Sequence, residues 1–193
     1  MALNYAEVRS LIYHDKHIKG ARIFDKLRNK EIDVKASYVV NATGPWVDDL
    51  RESMDPQANR TKRLQLTKGV HLVFPHEKLP VKQSVYFDVD DGRMIFAIPR
   101  DGITYVGTTD TKFSNAPETA DVGVQDVMYL INAVNNMFPD IELKIEDIIS
   151  SWAGLRPLIY EEGKSAGELS RKDEIFESDS GLISIAGGKL TGY

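Results

Sequence analysis

Four apolar-rich runs lie between Arg63 and about Thr109: LQLTKGVHLVF, QSVYFDV, RMIFAIP and ITYVGTT, the last three set apart by DDG and RDG. Runs rich in β-branched and aromatic residues, joined by short glycine-containing turns, are the signature of hairpins, so this stretch predicts an antiparallel sheet. Successive side chains on a strand point to opposite faces. Lys68 and His71, three residues apart in LTKGVH, therefore face opposite sides, and only one of them can serve a given pocket.

The flanking segments add strands and two helices. EVRSLIY (7–13), HIKGARIFD (17–25) and IDVKASYVVNATG (32–44) predict a small meander that ends in a buried strand at Tyr38–Val40, where alternation gives way to a continuous apolar run. GPWVDDLRESM follows, with proline at a helix-opening position and carboxylates in the first turn, and predicts a short helix. Val124, Val127, Met128, Ile131, Val134 and Phe138 recur at helical spacing until Pro139 ends the run. The tail predicts an irregular SWAGLRPL segment, a polar loop, RKDEIFE and a last strand, GLISIA.

Composition narrows the function classes. A chain of 193 residues, 42% hydrophobic and 27% charged, has material for one sizeable core or two small ones. A net charge of -5 and a pI near 5.4 argue against nucleic acid as a partner, because phosphate backbones are held by clustered lysine and arginine. Zero cysteines exclude disulfides, iron–sulfur clusters, thiolate zinc sites and a cysteine nucleophile, and fit a cytoplasmic location. No apolar run is long enough to span a bilayer, which leaves peripheral membrane contact open.

Several short motifs can carry chemistry. In VVNATGPW, small residues follow a strand, either to let the backbone pass close to a flat or charged ligand or to make a tight strand-to-helix turn at Gly44. His71 is either a satisfied sheet residue or a general base, the role for which a near-neutral imidazole suits. Arg156 and Arg171 are either surface ion-pair residues or planar forks for a phosphate or carboxylate. His14 and His17 have no third ligand nearby in sequence and read as surface residues, so no metal is expected. AGGKLTGY has Ile183 where a phosphate loop needs glycine and Leu190 where it needs serine or threonine, which disfavours a nucleotide triphosphatase. What is left is a strand, two glycines and a helix start, an arrangement that favours negative charge on a neighbour.

Taken in order, VVNATGPWVDDL, LTKGVHLV, FAIPRDGITYVGTTD, SWAGLRPL, LSRKDE and AGGKLTGY resemble the FAD-dependent glycerol-3-phosphate dehydrogenases, over nearly the whole chain from about Val34. The resemblance implies an α+β fold of the FAD/NAD(P)-binding, D-amino acid oxidase-like kind: residues 1–45 part of the flavin domain, 46–155 an antiparallel substrate domain, and 156–193 the substrate-site arginines with a return strand. It implies oxidation of sn-glycerol 3-phosphate to dihydroxyacetone phosphate, with FAD as hydride acceptor and a membrane quinone as the next acceptor. A glycerophosphate oxidase that uses oxygen and a non-catalytic module for phosphorylated ligands are the alternatives. It further implies His71 and Lys189 as catalytic residues, and Arg156, Arg171 and Lys189 as substrate ligands. Ala42, Thr43, Gly44, Gly187, Gly188, Leu190 and Thr191 would lie along the cofactor.

The departures also carry information. No GxGxxG with a following acidic residue, the pattern that seats adenosine diphosphate, occurs in these residues. The expectation is therefore a fragment of a larger flavoenzyme, inactive alone, holding FAD weakly or not at all. Faces that a missing domain would cover would favour self-association.

Overall fold

The computed structural model describes residues 2–56, 63–163 and 172–188. Its elements run β1 (Ala6–His14), β2 (His17–Asp25), β3 (Lys30–Lys35), β4 (Val39–Asn41), a 3-10 turn (Gly44–Trp46) and α1 (Val47–Met54). There follow β5 (Leu64–Pro75), β6 (Val85–Asp88), β7 (Met94–Arg100), β8 (Ile103–Gly107), β9 (Thr111–Phe113) and α2 (Val124–Met137). The last strands are β10 (Ser150–Ile159), β11 (Asp173–Glu177) and β12 (Leu182–Gly187). Strands dominate, and the class is α+β. The chain forms two compact units, Met1–Leu64 with Pro157–Glu161 and Ser170–Tyr193, and Gln65–Arg156 with Glu162–Leu169.

In the first unit, β1, β2 and β3 make an antiparallel meander, turned between β1 and β2 by Asp15 and Lys16 in the left-handed region. A second sheet has the order β11-β12-β4, in which β12 runs antiparallel to β11 and parallel to β4. Leu11, Ile18 and Leu182 form a small core against which Tyr13, Val39, Leu50 and Met54 pack. A buried carboxylate ties the unit together: Asp55, 2% exposed, accepts hydrogen bonds from Ser178 Oγ (2.6 Å) and Ser180 Oγ (2.7 Å), with Tyr13 Oη at 3.4 Å. Burial, and then the Asp55 charge, push the Tyr13 phenol up to about 12.

The second unit is one sheet and one helix. The sheet order is β10-β5-β8-β7-β6, with β9 also paired to β5. Val70, Leu72 and Phe74 of β5, Ile95 and Ala97 of β7, and Val106 of β8 bury one face against Leu130, Ile131 and Val134 of α2. α2 begins where the Asp126 carboxylate accepts the Gly123 N–H (3.0 Å) and stops one residue before Phe138-Pro139. Lys68 shares the helix-side face, its Nζ 2.6 Å from Asp126 Oδ2.

Three expectations change. The strand expected to be buried at Tyr38–Val40 is an exposed edge, Tyr38 at 76% and Val40 at 57%, because β4 pairs with β12 alone among the described residues. Val124 and Met128 point to solvent while Leu130 and Ala133 are buried, because the apolar residues of α2 cover more of its circumference than the sheet can shield. SWAGLRPL is regular: Ser150–Ile159 is a strand, and Pro157 is tolerated because β10 is the sheet edge.

Candidate functional site

His71 sits on the sheet face opposite α2, as strand alternation requires. Its ring stacks on Trp152 (centroids 4.7 Å apart, planes at 7°) and lies 5.5 Å from Phe96. Tyr105 extends the row, 5.9 Å from Trp152 and edge-on to Phe96 at 6.4 Å. Gly107 is the direct β8 partner of His71, and a Cβ there would fall on the imidazole, 2.6 Å from Nε2. The missing side chain is the notch that receives the ring. Burial first, and the charge of Arg156 second, hold the imidazole below the ordinary histidine value of 6.5, and its Nδ1 is buried with no hydrogen-bond partner among the described residues. The result is a neutral, desolvated imidazole able to take a proton. A cavity of about 490 Å³ opens beside the row between Tyr105, Trp152, Ile103 and Arg100.

Arg156 comes from β10 and brings its guanidinium close to Gly69 of β5. A Cβ on Gly69 would stand 2.7 and 2.8 Å from its two Nη atoms, so the guanidinium occupies the room glycine leaves. Nη1 donates to Asp110 Oδ1 (2.9 Å) and Nη2 to Thr108 Oγ1 (3.0 Å). Both members of the Arg156–Asp110 pair are about a quarter exposed, within reach of a ligand. Thr109, between the two anchors, faces the other way: its Oγ1 accepts from Val70 N and donates to the Lys68 carbonyl, each at 3.2 Å. Arg93 donates to the Thr109 carbonyl, stacks over Tyr129 at 3.8 Å and is held by Asp91.

In the first unit, β4 and β12 are parallel, with Ser184 opposite Asn41, so Ala42–Gly44 and Gly187–Gly188 both leave the sheet at the carboxyl ends of their strands. Ligands of open parallel sheets bind at such ends. Buried Asn41 shapes the first exit: its Nδ2 donates to the Val47 carbonyl (3.0 Å) and its Oδ1 accepts from Thr43 Oγ1 (2.7 Å). Gly44 has φ 60 and open space where a side chain would stand, and Ala42 is exposed. Gly187 and Gly188 have φ 77 and 91, and a Cβ on Gly187 would strike the Lys172 carbonyl. These small residues and the clear space suit a flat ring system lying along the strand ends, and so fit part of a flavin seat.

The structure thus gathers His71 and Arg156 in the second unit, and Ala42, Thr43, Gly44, Gly187 and Gly188 in the first. Arg171, Lys189, Leu190 and Thr191 lie outside the described residues. Sequence reasoning passed over Gly69, Phe96, Tyr105, Gly107, Thr108 and Asp110. Counting strand parity outward from His71 through the RDG hairpin would have found Phe96, Tyr105 and Gly107. His14 and His17 are exposed at the β1–β2 turn. Among the described residues no cluster of three acidic or histidine side chains is placed to hold a metal, and no helix is long and apolar enough to cross a membrane.

Comparison with known proteins adds a family model described as FAD dependent oxidoreductase (DAO), which matches residues 2–193. The aerobic glycerol-3-phosphate dehydrogenase of Bacillus subtilis (strain 168) is 56% identical over 191 residues, 99% of this chain and 34% of that protein. The chain therefore spans about a third of the length of the curated relatives it matches. The X-ray structure of the glycerol-3-phosphate dehydrogenase from Bacillus halodurans complexed with FAD superposes with a TM-score of 0.86 at 50% identity, covering 99% of this chain and 36% of that one. The dithionite-reduced L-alpha-glycerophosphate oxidase from Mycoplasma pneumoniae, with FAD bound, shares the fold at a TM-score of 0.65 and 18% identity, over 95% of this chain and 44% of that one.

Proposed function

Because the chain belongs to the FAD dependent oxidoreductase (DAO) family, we propose that it forms part of a flavoenzyme that oxidises sn-glycerol 3-phosphate to dihydroxyacetone phosphate. The observation that carries this reading is the pairing, on one sheet face, of a neutral imidazole with an arginine that still has N–H groups to offer. His71 takes the proton of the C2 hydroxyl, and its low basicity keeps it unprotonated and ready at neutral pH. Arg156 orients the substrate by its phosphate, the guanidinium fork matching the oxygens of a dianion. Trp152 and Phe96 exclude water from the imidazole. FAD, when bound, supplies the hydride acceptor. Ala42, Thr43, Gly44, Gly187 and Gly188 are assigned to its ring, together with Leu190 and Thr191, and Lys189 and Arg171 complete the anion site.

The first unit is assigned the cofactor role and the second the substrate role. A quinone is assigned as the next acceptor, with support from curated relatives named aerobic glycerol-3-phosphate dehydrogenases, and the enzyme is assigned to the cytoplasm with peripheral access to a membrane. The chain alone is inactive, and its exposed Tyr38, Val40 and Ile175 favour self-association.

The reading is tested in the full-length flavoprotein carrying this segment, with glycerol 3-phosphate and a dye acceptor. His71→Asn should lower kcat by about 10²-fold or more, the usual worth of a general base. Arg156→Ala should raise KM by about 10- to 100-fold, the worth of hydrogen bonds to a charged group. Wild-type kinetics in both variants would remove the proposal.

A further inference from the structure

We infer that Asp110 is a positioning residue, which fixes the Arg156 fork before substrate arrives; this rests on the reading of Arg156 as the phosphate ligand. The backbone is built for it. β5 pairs with β8 at His71–Gly107 and with β9 at Lys68–Thr111, so between these two pairs Gly69 and Val70 face three residues, Thr108, Thr109 and Asp110. That extra residue is a β-bulge, a device that re-aims side chains. Asp110 itself takes φ 51, in the left-handed region that aspartate tolerates better than most residues. The consequence is that Thr108 and Asp110 both reach Arg156, while the side chain of Thr109 turns back to β5. Arg93 braces the bulge from outside through the Thr109 carbonyl.

The bond count agrees. A guanidinium has five N–H donors in a fixed fork. Asp110 and Thr108 use one on each Nη, and Gly69 leaves room for both Nη atoms beside the strand. The Nε–H and the second N–H of each Nη are then left for an anion. Asp110 supplies the direction of the fork and leaves donors over.

The experiment uses the same full-length flavoprotein, with flavin content as the check on folding. Leaving a rotamer-rich side chain to be ordered by the ligand costs about 0.5–1.5 kcal/mol, roughly a two- to thirteenfold loss of affinity. Asp110→Ala is therefore expected to raise KM for glycerol 3-phosphate by that factor with kcat held within about twofold. Asp110→Asn, which keeps an acceptor oxygen, should restore most of the loss, and in an Arg156→Ala background Asp110→Ala should add nothing. Should Asp110→Ala fail to load flavin, Thr108→Val removes the other anchor and carries the same expectation. A lower KM in Asp110→Ala, a fall in kcat at constant KM, or an equal effect in the Arg156→Ala background would each overturn the inference. If Arg156→Ala leaves KM unchanged, the phosphate reading fails and takes Asp110 with it. If Arg156→Ala raises KM and Asp110→Ala does not, Asp110 alone is refuted.

Discussion

Substituting Gly107 by alanine puts one methyl group where the structure leaves room for none. The φ of Gly107 lies outside the left-handed region, so the backbone itself accepts alanine, and the whole cost comes from collision with the His71 ring. β8 lies between β5 and β7 and cannot yield. Two responses compete. Keeping the ring in place overpacks the site at about 1–3 kcal/mol, whereas expelling it forfeits the stack on Trp152, worth about 0.5–1.5 kcal/mol beyond the area buried, and that lost area is offset by returning the unpartnered Nδ1 to water. Expulsion is the cheaper, and the reduced freedom of the unfolded chain returns about 0.4–1 kcal/mol. The expected net loss of stability is thus below about 1 kcal/mol, while the chemical change is large: an expelled imidazole is rehydrated and moves away from the conditions that lower its basicity. Histidine NMR titration reads this directly, since the chain has four histidines and His71→Gln identifies the signal. The His71 pKa should rise towards 6.5 in Gly107→Ala. An unchanged titration with unchanged stability would mean that the ring does not occupy the Gly107 notch.

Three further predictions concern the fold. Because the His71 pKa is depressed on folding, unfolding takes up a proton below the ordinary value of 6.5; stability is full above that pH and falls as pH drops towards the folded value. His71→Gln should flatten this acid limb in urea titrations, and an unaltered limb would contradict the assignment. The Tyr13 phenol, raised to about 12, stabilises the fold below pH 10, with the benefit lost between 10 and 12; Asp55→Asn should bring its spectrophotometric titration down, and Asp55→Ala should cost about 1–3 kcal/mol by leaving buried hydroxyls without their acceptor. Asp126→Ala leaves the Lys68 ammonium, whose side chain is only 15% exposed, with the Asp121 carbonyl but without its carboxylate, and uncaps α2 at Gly123, for an expected loss of about 3 kcal/mol by chemical denaturation. A loss under about 1 kcal/mol would show that the pair is hydrated.

How much of this was legible in the sequence follows from the range of each physical signal. Alternation along LTKGVHLVF is local, and it separates Lys68 from His71 correctly because both lie on one strand. Edge status is not local: nothing in YVVNATG says that β4 pairs on one side only, and nothing in SWAGLRPL says that Pro157 falls where no neighbour needs its N–H. Tyr38, Val40 and the segment around Pro157 were misjudged for that one reason. The β-bulge was hidden as well, since it exists only as a mismatch of count between β5 and the Gly107–Thr111 stretch. The resemblance motifs marked VGTTD without saying why it matters; the register does.

Glycine supplies the last step. Gly187 and Gly188 have left-handed φ angles, and Gly187 also lies against a carbonyl, so their cause is the path of the backbone. Gly69 and Gly107 have no such angle, and a strand interior ordinarily loses stability with glycine. What they have in common is a functional side chain standing where their own would be, a guanidinium at Gly69 and an imidazole at Gly107. This close approach to the strand shields each group from water on that side. It lowers the basicity of His71 by desolvation, and it limits Arg156 to the directions its anchors allow. The seats at Gly69 and Gly107 both open on the sheet face away from α2, whereas Gly154 of β10, equally without a left-handed φ, has open space where its side chain would stand.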